Sequence, residues 1–170
     1  DGSGDYYANF IVDKKRGSLI ISGDLGDCIA TWYNELTPAK LCGFIRHDVG
    51  YFISKFQASS DKYVYDEDDV LADIKEYFRE YDYEVNSGLD YASEEEFWEL
   101  VSDEVNNSCD GNSFHPTERL IELIKEYDSD YWQWLYYCGK RIHKRVYLWV
   151  YAFEKTLKQL GYIEGNEKPV

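Results

Sequence analysis

The sequence has no methionine and only three histidines, three prolines and four cysteines among its 170 residues. Because methionine is missing, we expect that Asp1 is not the first residue of the encoded protein. Four cysteines are too few for the disulfide framework of a small secreted protein, which favours a reducing cytoplasm. No apolar run approaches the roughly 18 residues that a membrane span needs, and no signal-peptide pattern is present. We therefore expect neither a membrane protein nor an exported one.

The scarcity of histidine and the scatter of cysteine argue against a metal centre. Structural zinc sites need closely spaced cysteines and histidines. Stretches of 13, 66 and 28 residues separate the successive cysteines Cys28, Cys42, Cys109 and Cys138. We expect buried free thiols, no metal site and no cofactor.

One short stretch, Ile-Ser-Gly-Asp-Leu-Gly-Asp at residues 21–27, has the character of a motif. A strand followed by Gly-Asp is similar to the metal-bridging aspartate of binuclear phosphoesterases, with Asp24 and Asp27 as the candidate ligands. The Asp-x-His and Gly-Asn-His patterns that complete such a site are absent from the sequence. A structural turn is the simpler interpretation, and a metal-dependent phosphoesterase-like enzyme is the alternative.

Basic residues are nearly absent from the middle of the chain. Residues 61–110 hold 18 acids and three bases, whereas the remaining residues are neutral with 15 of each. The net charge of −15 therefore comes from fifty residues. An isoelectric point near 4.5 argues against a nucleic-acid-binding protein, because phosphate would be repelled. A protein that competes with nucleic acid for the basic groove of another protein remains possible on this composition.

Hydrophobic residues run through this acidic block at helical spacing. Val70, Ile74 and Phe78 predict the inner face of a first helix, with Asp66 near its start. A second helix is predicted to begin at Ser93, which forms a capping box with Glu96. The predicted outer faces carry Asp69, Asp73, Glu76 and Glu80 on the first helix and Glu95, Glu99 and Asp103 on the second. Such faces are either simply solvated or a binding surface for a cationic partner.

Tyrosine is abundant in the same block. Tyrosine and carboxylate together suit arginine-rich partners, through stacking and ion pairs, although the same tyrosines would also fill a core. The predicted partner-binding set is Asp66, Asp69, Asp73, Glu76, Glu80, Tyr81, Glu95, Glu99 and Asp103. No catalytic residue is predicted. The basic cluster at residues 140–145 is interpreted as a solvated helix start or an internal counterweight to the acids, rather than a phosphate contact.

The order of elements predicts an α+β fold in one domain, 1–170, because strands come first and helices later. We expect an antiparallel sheet of about four strands from the N-terminal third, packed by four or five helices, with an acidic helical lobe at about 61–110. The predicted strands are Tyr6–Val12, Ser18–Ser22, Cys28–Tyr33 and Asp48–Phe56. Further helices are predicted from Pro38 to Ile45, from Pro116 to about Tyr127 and over about Lys144–Leu160, and Tyr131–Tyr137 is ambiguous.

The run Gly17–Asp27, followed by Trp32, resembles a strand-GDxG-strand opening found in small accessory proteins of tailed phages and prophages. The late aromatic helix with Tyr147–Phe153 is also similar. The resemblance implies no catalytic residues. Small acidic phage proteins include anti-restriction and anti-CRISPR proteins that act as decoys for DNA, which is an analogy of composition and origin.

We therefore expect a non-enzymatic phage inhibitor of the anti-CRISPR type in the cytoplasm of the infected bacterial host. As an acidic DNA mimic it would bind an RNA-guided DNA nuclease or a similar basic protein, and it would not itself bind specific nucleic-acid sequences or membranes. The alternatives are the enzyme that uses Asp24 and Asp27 and a phage assembly adaptor.

Overall fold

The computed structural model describes residues 7–85, 88 and 91–164, which form an α+β fold. The strands are β1 (Ala8–Asp13), β2 (Ser18–Gly23), β3 (Cys28–Thr31), β4 (Phe56–Ser59), β5 (Tyr63–Tyr65) and β6 (Lys140–Ile142). The α-helices are α1 (Pro38–His47), α2 (Val49–Ser54), α3 (Glu67–Glu80), α4 (Glu94–Ser108), α5 (Glu118–Lys125) and α6 (Lys144–Gln159). Two single-turn 3₁₀ helices, Tyr131–Gln133 and Leu135–Tyr137, occupy the segment that was ambiguous in sequence.

The chain divides into two compact units. The described parts of Asp1–Lys62 and His143–Val170 form one, which we call the sheet unit, and Tyr63–Ile142 forms the other, which we call the acidic unit. The acidic unit includes nearly all of the predicted acidic lobe and extends beyond it to Ile142. That the 170 residues behave as a single domain stays a prediction.

The sheet unit contains the predicted four-stranded antiparallel sheet, in the order β1-β2-β3-β4. Leu19, Ile21 and Ala30 alternate with outward-facing residues and are fully or almost fully buried. Helices α1 and α6 pack together, and α6 also contacts β1. On α6, Trp149 is fully buried, and the Phe153 ring packs in a tilted arrangement against the Phe10 ring of β1, with 5.2 Å between the ring centroids. The inner face of the sheet and the apolar side of α6 therefore share one core.

The predicted strand at 48–56 is wrong, because most of this segment is helical. Asp48 caps α2, and its Oδ1 accepts a hydrogen bond from the Tyr51 N–H at 2.8 Å. Helix α2 then buries Phe52 and Ile53. The fourth strand is instead the short, largely exposed segment Phe56–Ser59, which pairs with β3. Aromatic and β-branched content predicted a strand here, but the cap and the burial pattern favour one and a half turns of helix.

The acidic unit is built around the inner faces of α3 and α4, as the periodicity predicted. Phe97 is fully buried and lies 5.8 Å from Phe78 of α3, measured between ring centroids. The predicted cap of α4 is confirmed, since the Ser93 hydroxyl accepts a hydrogen bond from the Glu96 N–H at 3.2 Å. The Glu96 carboxylate reaches the Ala92 N–H instead of that of Ser93. Acidic residues in the first turn of α3 and of α4 also interact favourably with the helix dipole.

A two-stranded antiparallel sheet joins the two ends of the acidic unit. In it Tyr63 pairs with Ile142 and Tyr65 with Lys140. Residues 140–142 of the basic cluster form β6, a strand that the sequence did not predict, and α6 begins at Lys144 as predicted. Among the described residues, no helix is both long enough and apolar enough to cross a membrane.

Candidate functional site

The net negative charge of the protein is concentrated in the acidic unit. Residues 63–142 contain 22 acidic and six basic side chains, a net charge of −16. The remaining residues contain 11 acidic and 12 basic side chains, a net charge of +1. The boundary between the two compact units is therefore also a boundary in charge, and a cationic partner would be drawn to one of them.

An open groove brings three of the predicted acids together with aromatic rings. Its volume is about 260 Å³. It is lined by Asp73, Glu76, Tyr77 and Glu80 of α3 and by Trp134, Tyr137 and Cys138. The predicted stripe on α3 is thus real, and it faces the 3₁₀ segment.

Stacked aromatic rings form the wall of this groove. Measured between ring centroids, the Tyr77 ring lies 3.8 Å from the Trp134 ring and 4.4 Å from the Tyr81 ring. Both pairs of rings are stacked. Asp128 accepts hydrogen bonds from the Tyr77 hydroxyl at 3.1 Å and from Trp134 Nε1 at 2.9 Å. The predicted binding residue Tyr81 is 55% exposed at the outer end of the stack. A fixed, flat aromatic surface next to carboxylates suits a guanidinium group.

The groups that donate hydrogen bonds to Asp128 stabilise its charged form. Its burial, the largest single influence, would raise its pKa. Hydrogen bonds from the Trp134 indole, the Asp130 backbone N–H and the Tyr77 hydroxyl together outweigh that effect and lower the pKa of Asp128. The aromatic wall is therefore backed by a stable negative charge.

Two of the predicted binding acids already have an internal partner. The Arg141 guanidinium donates to both oxygens of Asp73, at 2.8 and 2.9 Å, and lies 3.2 Å from Asp69 Oδ1. The Gly139 N–H also donates to Asp73, at 2.8 Å. The counterweight interpretation of the basic cluster is confirmed for Arg141. Its hydrogen bond is the main reason that the pKa of Asp73 lies below its ordinary value, with a smaller contribution from Gly139 and against the effect of burial.

Two further predicted acids have local structural roles. Asp66 is the N-cap of α3, where its Oδ1 accepts from the Asp68 N–H at 3.0 Å. Glu76 forms an ion pair with Arg79 on the same helix. Both side chains are exposed, so each keeps carboxylate surface toward solvent.

The predicted acids of α4 are exposed and unpaired. Glu95, Glu99 and Asp103 have neither a hydrogen bond nor an ion pair from another side chain in the part of the chain that the structure describes, and the same holds for Glu80. Glu95, Glu99 and Asp103 form a second acidic stripe on α4, which is distinct from the stripe on α3. The cavity between the two helices, of about 540 Å³, is lined by Lys75 and Arg79 from α3 and by Glu94 and Trp98 from α4. Basic side chains therefore lie between the two stripes.

The stretch at 21–27 has the geometry of a structural turn. Asp24 Oδ2 accepts a hydrogen bond from the Tyr7 N–H at 3.1 Å, and the Asp27 N–H donates to Ser60 Oγ at 3.0 Å. A Cβ atom on Gly23, whose φ is +143°, would lie 2.2 Å from the Tyr7 carbonyl oxygen. Within residues 7–85, 88 and 91–164, no group of three or more His, Cys, Asp or Glu side chains is placed to hold a metal ion.

Replacing Asp73 with asparagine is expected to destabilise the protein by about 1–2 kcal/mol at neutral pH, because the ion pair with Arg141 is lost while one oxygen still accepts from Gly139. A lowered pKa in the folded protein means that Asp73 contributes stability above its unfolded pKa of about 3.9. That contribution disappears as pH falls through the folded pKa. The difference in the free energy of unfolding between wild type and Asp73→Asn should therefore shrink at low pH. Urea titrations at neutral and acidic pH measure it, and an unchanged difference would contradict the assignment.

The sequence did not predict a role for Trp134 and Asp128, which build the groove wall. The signal was present in the density of aromatic residues at 131–137 directly after two aspartates. It was not interpretable, because neither helical nor strand periodicity describes two successive 3₁₀ turns.

A family model matches most of the chain. The model of Phage_phiTE_072, described as a phage family, matches residues 4–159, which is about nine tenths of the chain. No curated protein and no solved structure matches the sequence.

Proposed function

The chain belongs to this phage family, and from that premise we propose that it inhibits a host enzyme that processes nucleic acid, in the cytoplasm of the infected bacterium. The acidic unit acts as a mimic of DNA and occupies the basic groove of the enzyme. An RNA-guided DNA nuclease of a CRISPR system is the candidate target. The observation that carries the proposal is the confinement of a net charge of −16 to one compact unit.

The stripe on α4 supplies the phosphate-like charges in this proposal. Glu95, Glu99 and Asp103 follow one another at four-residue intervals, about 6 Å along a helix axis. That rise is comparable to the distance between successive phosphates along a DNA strand. Because none of the three is engaged within the described chain, each is free to pair with a lysine or arginine of the partner.

The groove on α3 supplies the second contact. A guanidinium that enters it would meet the carboxylates of Glu76 and Glu80 and stack on the Trp134 or Tyr137 ring. Asp69 and Asp73 are assigned a different role from the one that sequence predicted, because Arg141 engages them. They fix α3 against β6 and so position the groove.

Binding should be steered by charge and should weaken as salt is added, because the partner's basic groove normally binds phosphates. The experiment is a competition assay in which the protein is added to purified CRISPR nucleases of the host before labelled target DNA. We expect lower DNA loading at low ionic strength and recovery of loading at high ionic strength. If the protein neither binds such a nuclease nor reduces its DNA loading at low salt, the proposal is wrong.

Neutralising the acidic stripe on α4 tests whether it forms the surface that binds the target. The triple variant Glu95→Gln, Glu99→Gln and Asp103→Asn should weaken inhibition at least about tenfold without unfolding the protein, since these exposed side chains form no hydrogen bond or ion pair with another side chain among the described residues. The matched control neutralises three exposed acids of the sheet unit, Asp27, Glu35 and Glu164. Equal losses in both triple variants would assign the effect to total charge and contradict the proposed surface.

A further inference from the structure

The outer face of the four-stranded sheet carries a row of exposed isoleucines. Ile11 of β1 lies opposite Ile20 of β2, and Ile20 lies opposite Ile29 of β3. Ile29 in turn lies opposite Ala58 of β4, so the apolar row crosses the whole sheet. The three isoleucines are 58%, 36% and 41% exposed, in chain order.

No described part of the sheet unit covers this row. An antiparallel sheet with one buried face normally turns polar residues to solvent on the other face. Here the inner face already buries Leu19, Ile21 and Ala30, and the outer face still presents β-branched aliphatic side chains in direct register. Isolated exposed hydrophobic residues are common, whereas a contiguous row is typical of an interaction surface.

The residues on either side of the row are mostly small and uncharged. The positions that flank the isoleucines along the strands are Asn9, Asp13, Ser18, Ser22, Asp27 and Thr31, so two of the six carry a carboxylate. At one end of β1, Asp13 directs its Oδ1 to the N–H groups of Lys15 and Arg16, which close the β1–β2 turn. The centre of the face therefore carries no carboxylate, in a protein that contains 33 acidic residues.

The distribution of charge indicates what covers the face. A basic protein or a nucleic acid would gain no electrostatic attraction from an uncharged row of isoleucines. Two copies of this chain would repel each other through their acidic units, each with a net charge of −16, but not through the sheet unit, with its net charge of +1. An uncharged aliphatic centre of such a face is complementary to itself, which is what a two-fold symmetric contact requires.

We propose that this face is a homodimer interface, in which two copies pack their sheets against each other with Ile20 close to the two-fold axis. Branched side chains from facing sheets interdigitate at a spacing of about 10 Å. The dimer carries two acidic units, so it presents two binding surfaces to a target and gains avidity where both are engaged.

Sedimentation equilibrium of the purified protein, over a wide range of concentrations, tests the inference without any partner. The wild type should be a dimer whose dissociation constant does not rise between low and high salt, because apolar burial is not screened. Failure of the DNA-mimic proposal would leave this result unchanged, since the two experiments use different surfaces. A wild type that sediments as a monomer at every concentration would overturn the inference, and so would a dimer that salt dissociates.

Two variants at the centre of the row locate the interface. Ile20→Thr keeps the β-branched shape and should raise the dissociation constant at least about tenfold, because symmetry places the substitution in both copies. Ile20→Lys should give a monomer through charge repulsion. The control is Leu148→Gln on α6, which removes an aliphatic side chain of similar exposure, 46%, away from the sheet face. A dimer that survives Ile20→Thr but is lost in Leu148→Gln would place the interface elsewhere and contradict the proposal.

Discussion

Phe97→Ala is expected to lower the free energy of unfolding by about 3–5 kcal/mol, which is a large part of the stability of a protein of this size. Phe97 is fully buried, and its ring lies 5.0 Å from that of Tyr91 and 5.2 Å from that of Tyr127. Truncation removes the ring from the centre of the acidic unit and leaves a cavity that its four aromatic neighbours, Phe78, Tyr91, Trp98 and Tyr127, cannot close. Urea unfolding followed by circular dichroism measures the change.

The control for this prediction is Phe44→Ala in the sheet unit. Phe44 is 43% exposed and makes an edge contact with the Tyr51 ring at 6.3 Å. Its truncation should cost less than about 1 kcal/mol, because little buried surface is lost. Similar costs for the two truncations would mean that the acidic unit is not organised around Phe97.

Gly139→Ala is expected to cost about 2–4 kcal/mol through two separate effects. Gly139 has a φ of +68°, which is unfavourable for alanine by about 1–2 kcal/mol. An added Cβ would also lie 2.1 Å from Val70 Cγ2 and 3.0 Å from the Val70 backbone nitrogen. Val70 is buried at the start of α3, so relief of this overlap requires α3 and the strand that follows Gly139 to separate. The hydrogen bond from the Gly139 N–H to Asp73 would weaken at the same time.

Gly111→Ala distinguishes the two effects. Gly111 also has a positive φ, +83°, but an added Cβ would meet no other atom within 4 Å. It should cost only the conformational part, about 1–2 kcal/mol. Thermal and urea unfolding of both variants give the comparison, and equal costs would show that the close approach of Gly139 to Val70 has no energetic consequence.

The parts of this structure that could be predicted from the sequence are those in which local signals agree. Helices α3 and α4 combine a periodic apolar face with a capping side chain, Asp66 or Ser93, and both lie where they were expected. Strands β1 to β3 alternate in the expected way, and the antiparallel sheet is confirmed. The side of each helix that carries its acids also followed from the helical repeat alone.

The parts that could not be predicted depend on contacts between distant segments. Whether an acid on α3 is free or paired depends on Arg141, which is 68 residues further along the chain than Asp73. Strand β4 is only four residues long and largely exposed, and it is a strand because it pairs with Cys28 and Ile29. The groove beside α3 requires Trp134, whose position comes from 3₁₀ turns that leave no periodic signal.

The pairing of Tyr63 with Ile142 brings the beginning and the end of an eighty-residue segment to neighbouring positions in one small ladder. A segment with adjacent ends can be exchanged as a cassette, because the flanking chain can be rejoined by a short turn. Recombination between phage genomes at these two points would exchange the entire negative charge in one event. The fold therefore allows the net negative charge of the protein to change by replacement of one module, while the remainder of the gene stays constant.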